Sequence, residues 1–298
     1  MSEKAFEAIL QPDFNTNIKL QIENITKKFV VKDKQGKGNS TVTILDNINL
    51  EIIKGEFFVI VGPSGCGKTT LLDILGGLSQ PTEGTLSIDG EIASGPDLNR
   101  GIVFQQYTLF PWLTTAENVG FVLESQNVKK KERDKIVNRL LALVGLSGFE
   151  DHYPHQLSGG MRQRAAIARA LSFEPDILLM DEPFGALDSF TREILQRELL
   201  RIRNETGKTI IFITHSIDEA IFLADRVAIM TAKPGTIKEI VKIPLSRRSR
   251  LENENIRSTK EFVQARQNLW MLIKEEVSRS QKFFKGERGI KCKKNLIF

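Results

Sequence analysis

The stretch "GPSGCGKTT", residues 62 to 70, constrains this chain more than any other: it sets three glycines within six residues and follows the last with a lysine. Glycine costs backbone entropy on folding, so such a cluster belongs where the chain bends tightly or where another group docks closely against it. The spacing fits G-x-x-x-x-G-K-[ST], with Gly62, Gly67, Lys68 and Thr69 at the defining positions. Before it stands "EFFVIVG", whose unbroken apolar run reads as a strand buried on both faces, and after it "KTTLLDILGGL" reads as a helix. Strand, glycine loop and helix together are the setting of a phosphate-binding loop. Gly62, Pro63, Ser64, Gly65, Cys66, Gly67, Lys68, Thr69 and Thr70 are therefore expected to wrap phosphate oxygens. Backbone N–H groups and the positive helix end turn inward, and Lys68 adds a compact charge. The Thr69 hydroxyl is expected to ligate Mg²⁺. Because Cys66 lies inside this loop, an alkylating reagent is expected to compete with nucleotide; the alternative is an unreactive spacer.

Three more apolar runs, "DILLMD" (176–181), "TIIFITH" (209–215) and "RVAIMTA" (226–232), share the pattern. Helical patterns follow the first two, "FTREILQRELLRIRNET" with Ile194, Leu195, Leu199, Leu200 and Ile202 along one stripe, and "SIDEAIFLAD". Strand then helix, repeated, predicts an α/β fold with a parallel sheet. The beginning differs, because "IKLQIENITKKFVV" and "TVTILDNINLEII" alternate apolar and polar residues around the polar loop "KDKQGKGNS", which predicts an N-terminal antiparallel β layer. Residues 107–168 are richer in helical patterning, notably Ile136, Val137, Leu140, Leu141 and Val144 on one face, and read as an inserted α-helical subdomain. After Pro244 a polar stretch leads into "TKEFVQARQNLWMLIKEEV", a short helical C-terminal extension. The boundaries adopted are 18–245 for the α/β domain and 246–298 for the extension with its basic tail.

At "ILLMDEP" a buried strand ends in Asp181 and Glu182, at the carboxyl edge where open α/β sheets bind ligands. Asp181 is expected to hold Mg²⁺, and Glu182 to polarise a water for attack on a γ-phosphorus. "LSGGMRQRAAIARAL" places Ser158, Gly159 and Gly160 at the start of another helix; Ser158 can cap it, and the bare N–H groups form a second anion site or no more than a cap.

The net charge of +5 resembles a nucleic-acid signal until it is located. From Ser278 onward the tail carries seven lysines and arginines against Glu287, so the body is near neutral. That argues against a nucleic-acid partner; it leaves a solvated tail or one near anionic headgroups. No run approaches the ~20 apolar residues of a membrane span, and "MSEKAFEAILQPDFNTN" at the start lacks the basic-then-apolar build expected of a secretion signal. Cys66 and Cys292 have neither disulfide-framework nor metal-ligand spacing.

Taken in order, "GPSGCGKTT", "LSGGM", "ILLMDEP", "GALD" and "ITH" resemble the nucleotide-binding subunit of ATP-binding-cassette transporters over residues ~18 to ~245. The resemblance implies a RecA-like P-loop NTPase core that binds ATP and Mg²⁺ and works as a head-to-tail dimer with itself or a paralogous cassette. Each ATP is then clasped between one chain's phosphate loop and the other's "LSGGM". It implies that Gln105 in "VFQQYTLFPW" is the loop glutamine contacting Mg²⁺ or water, with Gln106 open by one residue. Asp188 in "GALD" bridges the cassettes, His215 in "ITH" touches the γ-phosphate, and Phe29 in "ITKKFVV" stacks on adenine, unless it is plain strand core. "PWLT" and the closing "IPLSRRSR" are similar to importers of the nitrate, sulfonate, taurine and bicarbonate group. Such a subunit lies peripherally on the cytoplasmic face of the cell membrane, against integral permease subunits that an external solute-binding protein serves. A cassette ATPase acting on nucleic acid or ribosomes, or a purely regulatory module without turnover, are the competing readings.

Overall fold

The computed structural model describes residues 17–32, 39–185 and 187–293, with side chains described up to residue 278 apart from that of residue 32. Part of the loop "KDKQGKGNS", Ala186 of "GALD", and the N-terminal stretch read for a secretion signal lie outside the described residues. So do the tail's last five residues and the side chains of its basic residues and Cys292. In chain order the elements are β1 (Ile18–Lys32), β2 (Asn39–Ile53), β3 (Phe57–Val61), α1 (Lys68–Leu75), β4 (Glu83–Ile88), β5 (Glu91–Ile92) and β6 (Arg100–Val103). Then come α2 (Thr115–Ser125), α3 (Lys130–Leu143), α4 (Gly159–Leu171), β7 (Ile177–Asp181), α5 (Ser189–Thr206), β8 (Thr209–Ile213) and α6 (Ile217–Leu223). β9 (Arg226–Met230), β10 (Ile237–Lys242), α7 (Arg247–Glu252) and α8 (Lys260–Lys293) complete the fold.

The unbroken apolar runs do form the middle of one sheet, ordered β10-β9-β3-β8-β7-β6, in which β9, β3, β8, β7 and β6 run parallel. Successive side chains of a strand point to opposite faces. Phe57, Val59 and Val61 therefore join one core with α4, α5 and α6, while Phe58 and Ile60 join a second core beneath the antiparallel sheet. Both faces are covered, so an apolar residue is required at every position. Full burial of each such side chain contributes ~1.5–3 kcal/mol.

The predicted antiparallel layer is a four-stranded sheet, β2-β1-β4-β5. Its inner residues Leu20, Ile22, Ile48, Leu50 and Ile52 pack on α1 and the parallel sheet. Past this core the β1–β2 hairpin continues, leaving Phe29, Val30 and Val31 exposed.

Residues 107–168 hold α2, α3 and the start of α4. Thr114 and Glu117 close a reciprocal capping box at the start of α2, with Thr114 Oγ1 accepting the Glu117 N–H at 3.2 Å and Glu117 Oε2 accepting the Thr114 N–H at 2.7 Å. Val137, Leu140, Leu141 and Val144 bury as the periodicity of α3 predicts. In α5 the stripe is narrower than expected: Leu195, Leu199, Leu200 and Ile202 are buried, but Ile194 is 49% exposed. Ile194 stands one position off the buried row, where 100° of helical rotation turns it toward solvent.

The C-terminal extension is helical, as expected, but not short: α8 spans 34 residues. Phe262, Ala265, Leu269 and Ile273 enter the core that holds Ile221 and Phe222 of α6.

Candidate active site

In the parallel sheet, register sets the site. Ile60 of β3 and Asp181 of β7 both pair with Ile213 of β8. The three strands therefore end level, and strand neighbours lie ~4.8 Å apart. The loop beginning at Gly62, the acids 181 and 182, and His215 thus emerge at one edge, although they are far apart in sequence.

The loop turns into α1 through Gly67, at φ 103°; a Cβ there would come within 2.7 Å of Leu45 Cδ2. Only glycine fits both demands. No side chain caps α1, so its first N–H groups are left for an external acceptor such as a phosphate oxygen. Lys68 is buried, and its Nζ donates to the carbonyls of Gly62 (2.9 Å) and Pro63 (3.2 Å).

A cleft of about 760 Å³ opens over this loop. Ser64, Gly65, Gly67, Lys68, Thr69 and Thr70 line it, and Gln105 and Glu182 join them, whereas Gln106 does not. Phe29 lines it beside Val31, Val42 and Ile44; at 43% exposed it is not strand core. Gly62, Pro63 and Cys66 do not line the cleft. A Cβ on Gly62 would meet Cys66 Sγ and Met230 Cβ at 3.0 Å, so this side of the loop is packed against β9.

Cys66 is 1% exposed, and burial pushes its thiol above the ordinary value. The expected competition between alkylation and nucleotide is therefore corrected: the Cys66 side chain belongs to the core, and the unreactive-spacer reading holds. An inert buried thiol has little thiolate and no access. In the folded protein Cys66 should resist a maleimide over hours and react once denaturant is added, as peptide mass mapping would show; rapid labelling of the native chain would contradict this.

Thr69 Oγ1 donates to Asp181 Oδ2 at 2.8 Å. Burial raises the Asp181 carboxyl, the Thr69 hydrogen bond opposes this, and neighbouring Glu182 raises it further. A hydroxyl, a carboxylate short of counter-charge and the Gln105 amide are hard oxygen donors. That set suits Mg²⁺, which takes few protein ligands beside phosphate and water. Among the described residues no cluster of three or more His, Cys, Asp or Glu could form a cage for another metal.

Glu182 takes a left-handed backbone at φ 43°, rare for a residue with a side chain and of a kind concentrated at functional sites. Its Oε2 lies 3.1 Å from His215 Nδ1. His215, 66% exposed, has little packing of its own.

Ser158 caps α4, accepting the Met161 N–H at 3.3 Å. Ser158, Gly159 and Gly160 do not line the cleft of the same chain. A Cβ on Gly160 would meet Thr191 Cγ2 at 2.6 Å, so glycine is needed there for α4 to approach α5. Asp188 caps α5, accepting the N–H groups of Phe190 (3.1 Å) and Thr191 (2.9 Å); these bonds, that of Thr191 foremost, hold its carboxyl below the ordinary value.

A protein-family model described as ABC transporter matches residues 45–185. An ABC transporter ATP-binding protein of Methanocaldococcus jannaschii is 52% identical over 265 residues, covering 89% of this chain and 95% of that one. The chain belongs to the ABC transporter family. The cassette is also 45% identical over 249 residues to the bicarbonate transport ATP-binding protein CmpD of a Synechocystis strain, covering 83% of this chain and 86% of CmpD. To the aliphatic sulfonates import ATP-binding protein SsuB of Bacillus cereus it is 47% identical over 236 residues, covering 78% and 90%. Among solved structures it resembles the dimeric post-hydrolysis state of the ATP-binding cassette MJ0796 bound to ADP and Pi, with TM-score 0.66 and 38% identity over 75% of this chain and 98% of that one.

Val42, Ile44 and Lys233 line the cassette's cleft without having been expected from sequence. Lys233 is brought there by the following turn, where the Gly235 N–H donates to the Ile44 carbonyl at 2.8 Å and its carbonyl accepts the Asp46 N–H at 2.9 Å. Nothing local to "AKPGT" announces that contact.

Proposed function

We propose that this ABC ATPase drives an importer of a small anion, of the nitrate, sulfonate, taurine or bicarbonate type, through separate membrane permease subunits. The observation that carries the hydrolytic part is Glu182, hydrogen-bonded to His215 and opening on the cleft that Lys68 and Thr69 also line. Lys68 and the loop N–H groups hold the terminal phosphates, and Phe29 stacks on the adenine. Thr69, Asp181 and Gln105 would hold Mg²⁺, which would supply positive charge to offset that of the phosphates. Glu182 accepts a proton as water oxygen bonds to the γ-phosphorus; the bond from that phosphorus to the leaving ADP oxygen breaks, and phosphate departs. His215 steadies Glu182 and faces the γ-phosphate. Ser158, Gly159 and Gly160 of a second copy offer the anion site this cleft lacks, and Asp188 bridges the copies; the dimeric state of the MJ0796 cassette supports this arrangement.

The import reading is supported by the similarity to the bicarbonate transport and aliphatic sulfonates import ATP-binding proteins and by "PWLT" after Gln105. The subunit acts peripherally on the cytoplasmic face of the membrane; among the described residues no helix is long and apolar enough to cross one. Purified chain should release phosphate from ATP with Mg²⁺ and stop when EDTA is added. Co-purified with its membrane subunits into vesicles, it should take up nitrate, taurine, an alkanesulfonate or bicarbonate only with ATP. Turnover indifferent to EDTA would overturn the metal assignment, and uptake of none of the four the cargo assignment.

A further inference from the structure

Behind His215 lies a buried carboxylate that the chemistry above does not use. Glu219, in the first turn of α6, is 7% exposed. Its Oε2 accepts the Thr214 hydroxyl at 2.5 Å, its Oε1 accepts Gln196 Nε2 at 3.2 Å, and Arg192 Nε lies 3.6 Å from Oε1. Each partner leads to a different part of the cassette. Thr214 immediately precedes His215, and its oxygen also accepts the Ser216 N–H at 3.0 Å, so the chain on both sides of His215 is tied to Glu219. Arg192 donates to the Leu187 carbonyl at 2.7 Å, one residue before Asp188. The Gln196 amide oxygen accepts Arg257 at 2.7 Å, in the C-terminal extension. α8 clamps the same helix, because Arg266 pairs with Asp218 through two hydrogen bonds at 2.6 and 3.1 Å.

An exposed side chain such as His215 takes its position from its backbone. That backbone is held by one acceptor-only group that takes hydrogen bonds from a hydroxyl and an amide, while its charge faces the Arg192 guanidinium, whose buried Nε makes no hydrogen bond. We propose that Glu219 is a positioning residue for hydrolysis, holding the His215 loop in register with the Asp188 loop and with the C-terminal extension. The inference rests on the reading of Glu182 and His215 as the hydrolytic pair. It predicts a particular kinetic split. The nucleotide is bound chiefly by the 62–70 loop and Phe29, which Glu219 does not touch, so loss of Glu219 should slow chemistry and spare binding.

The test compares parent, Glu219→Ala, Glu219→Gln and Thr214→Val for steady-state ATP turnover, and for ADP affinity by calorimetry. Glu219→Ala should lower kcat about 10–100-fold, the scale of an ~1 Å misplacement at a reacting centre, with KM for ATP and Kd for ADP changed by less than about two-fold. Glu219→Gln should restore kcat to within several-fold of parent, because its amide oxygen still accepts the Thr214 hydroxyl. Thr214→Val, which breaks the same link from the other side, should reproduce the kcat loss and carries the test if Glu219→Ala does not fold. Parental kcat in both Glu219→Ala and Thr214→Val overturns the proposal, as does a parallel fall of kcat and ADP affinity with no rescue by glutamine. A Glu182→Gln control separates the two readings. If parent turns over ATP and that control does not, the hydrolytic pair stands whatever Glu219 does; a parent without turnover overturns both.

Discussion

Replacing Glu182 with glutamine should lower phosphate release about 10²–10⁴-fold, the usual contribution of a positioned general base, while ATP stays bound. The two side chains have nearly the same shape, and the amide oxygen can still reach His215, which lies 3.1 Å from the native carboxylate. What is lost is the capacity to take a proton from water. Because Ser158, Gly159 and Gly160 are absent from the cleft of their own chain, the trapped nucleotide should hold two chains together. Light scattering with Mg²⁺ and saturating ATP should report a dimer for Glu182→Gln, and phosphate release measured alongside should report the lost turnover. A variant that hydrolyses at the parental rate, or stays monomeric, would remove the basis for the two-chain site.

Replacing Asp225 with asparagine should unfold the cassette more readily than any change at its surface. Asp225 Oδ2 accepts Arg203 at 2.7 Å, Arg247 at 2.9 Å and the Phe57 N–H at 3.0 Å, and Arg250 stands 3.7 Å from Oδ1. Arg203 and Arg250 are almost completely buried. Burial pulls both guanidiniums down to about 10, with Asp225 opposing, so both remain charged at neutral pH. Without the carboxylate these buried cations face one another, and breaking such a pair costs about 3–5 kcal/mol. Burial acts to raise the Asp225 carboxyl, but the guanidiniums of Arg203, Arg247 and Arg250 outweigh it and hold the carboxyl below its ordinary value. A carboxyl depressed in the fold lends stability that is fully present above its unfolded value, ~3.9, and is lost as pH falls through the folded value. Urea unfolding from pH 7 down to acid should therefore show parent stability converging on that of Asp225→Asn, the gap being widest at neutral pH. A constant gap, or none, would show that the charge cluster does not act this way.

The same cluster joins the ends of β3, α5 and α7, and nothing in the sequence announces it. What is legible in sequence is local. The run at 177–180 is apolar at every position because both faces of its strand are covered, and "GPSGCGKTT" is readable because phosphate binding demands glycine at a left-handed turn. Ser158 is readable as a cap because capping is settled within three residues. Periodicity overreached at Ile194, which falls one step off the buried row of α5, and loop position misled at Cys66, which points into the core beneath the loop rather than toward the cleft.

Residue types and their spacing along the chain were thus enough to determine the α/β class, the phosphate loop and the acids at the end of β7, since each depends on neighbours a few positions away. Only the tertiary structure decided that Thr69 meets Asp181, that His215 meets Glu182, that the β1–β2 hairpin carries Phe29 to the cleft, and that Arg257 reaches the network behind His215. Those meetings follow from strand order and register across a sheet and from the docking of α8 on α6. A sequence pattern reports that a face must be buried, but the partner that buries it is chosen by packing between segments that are distant along the chain.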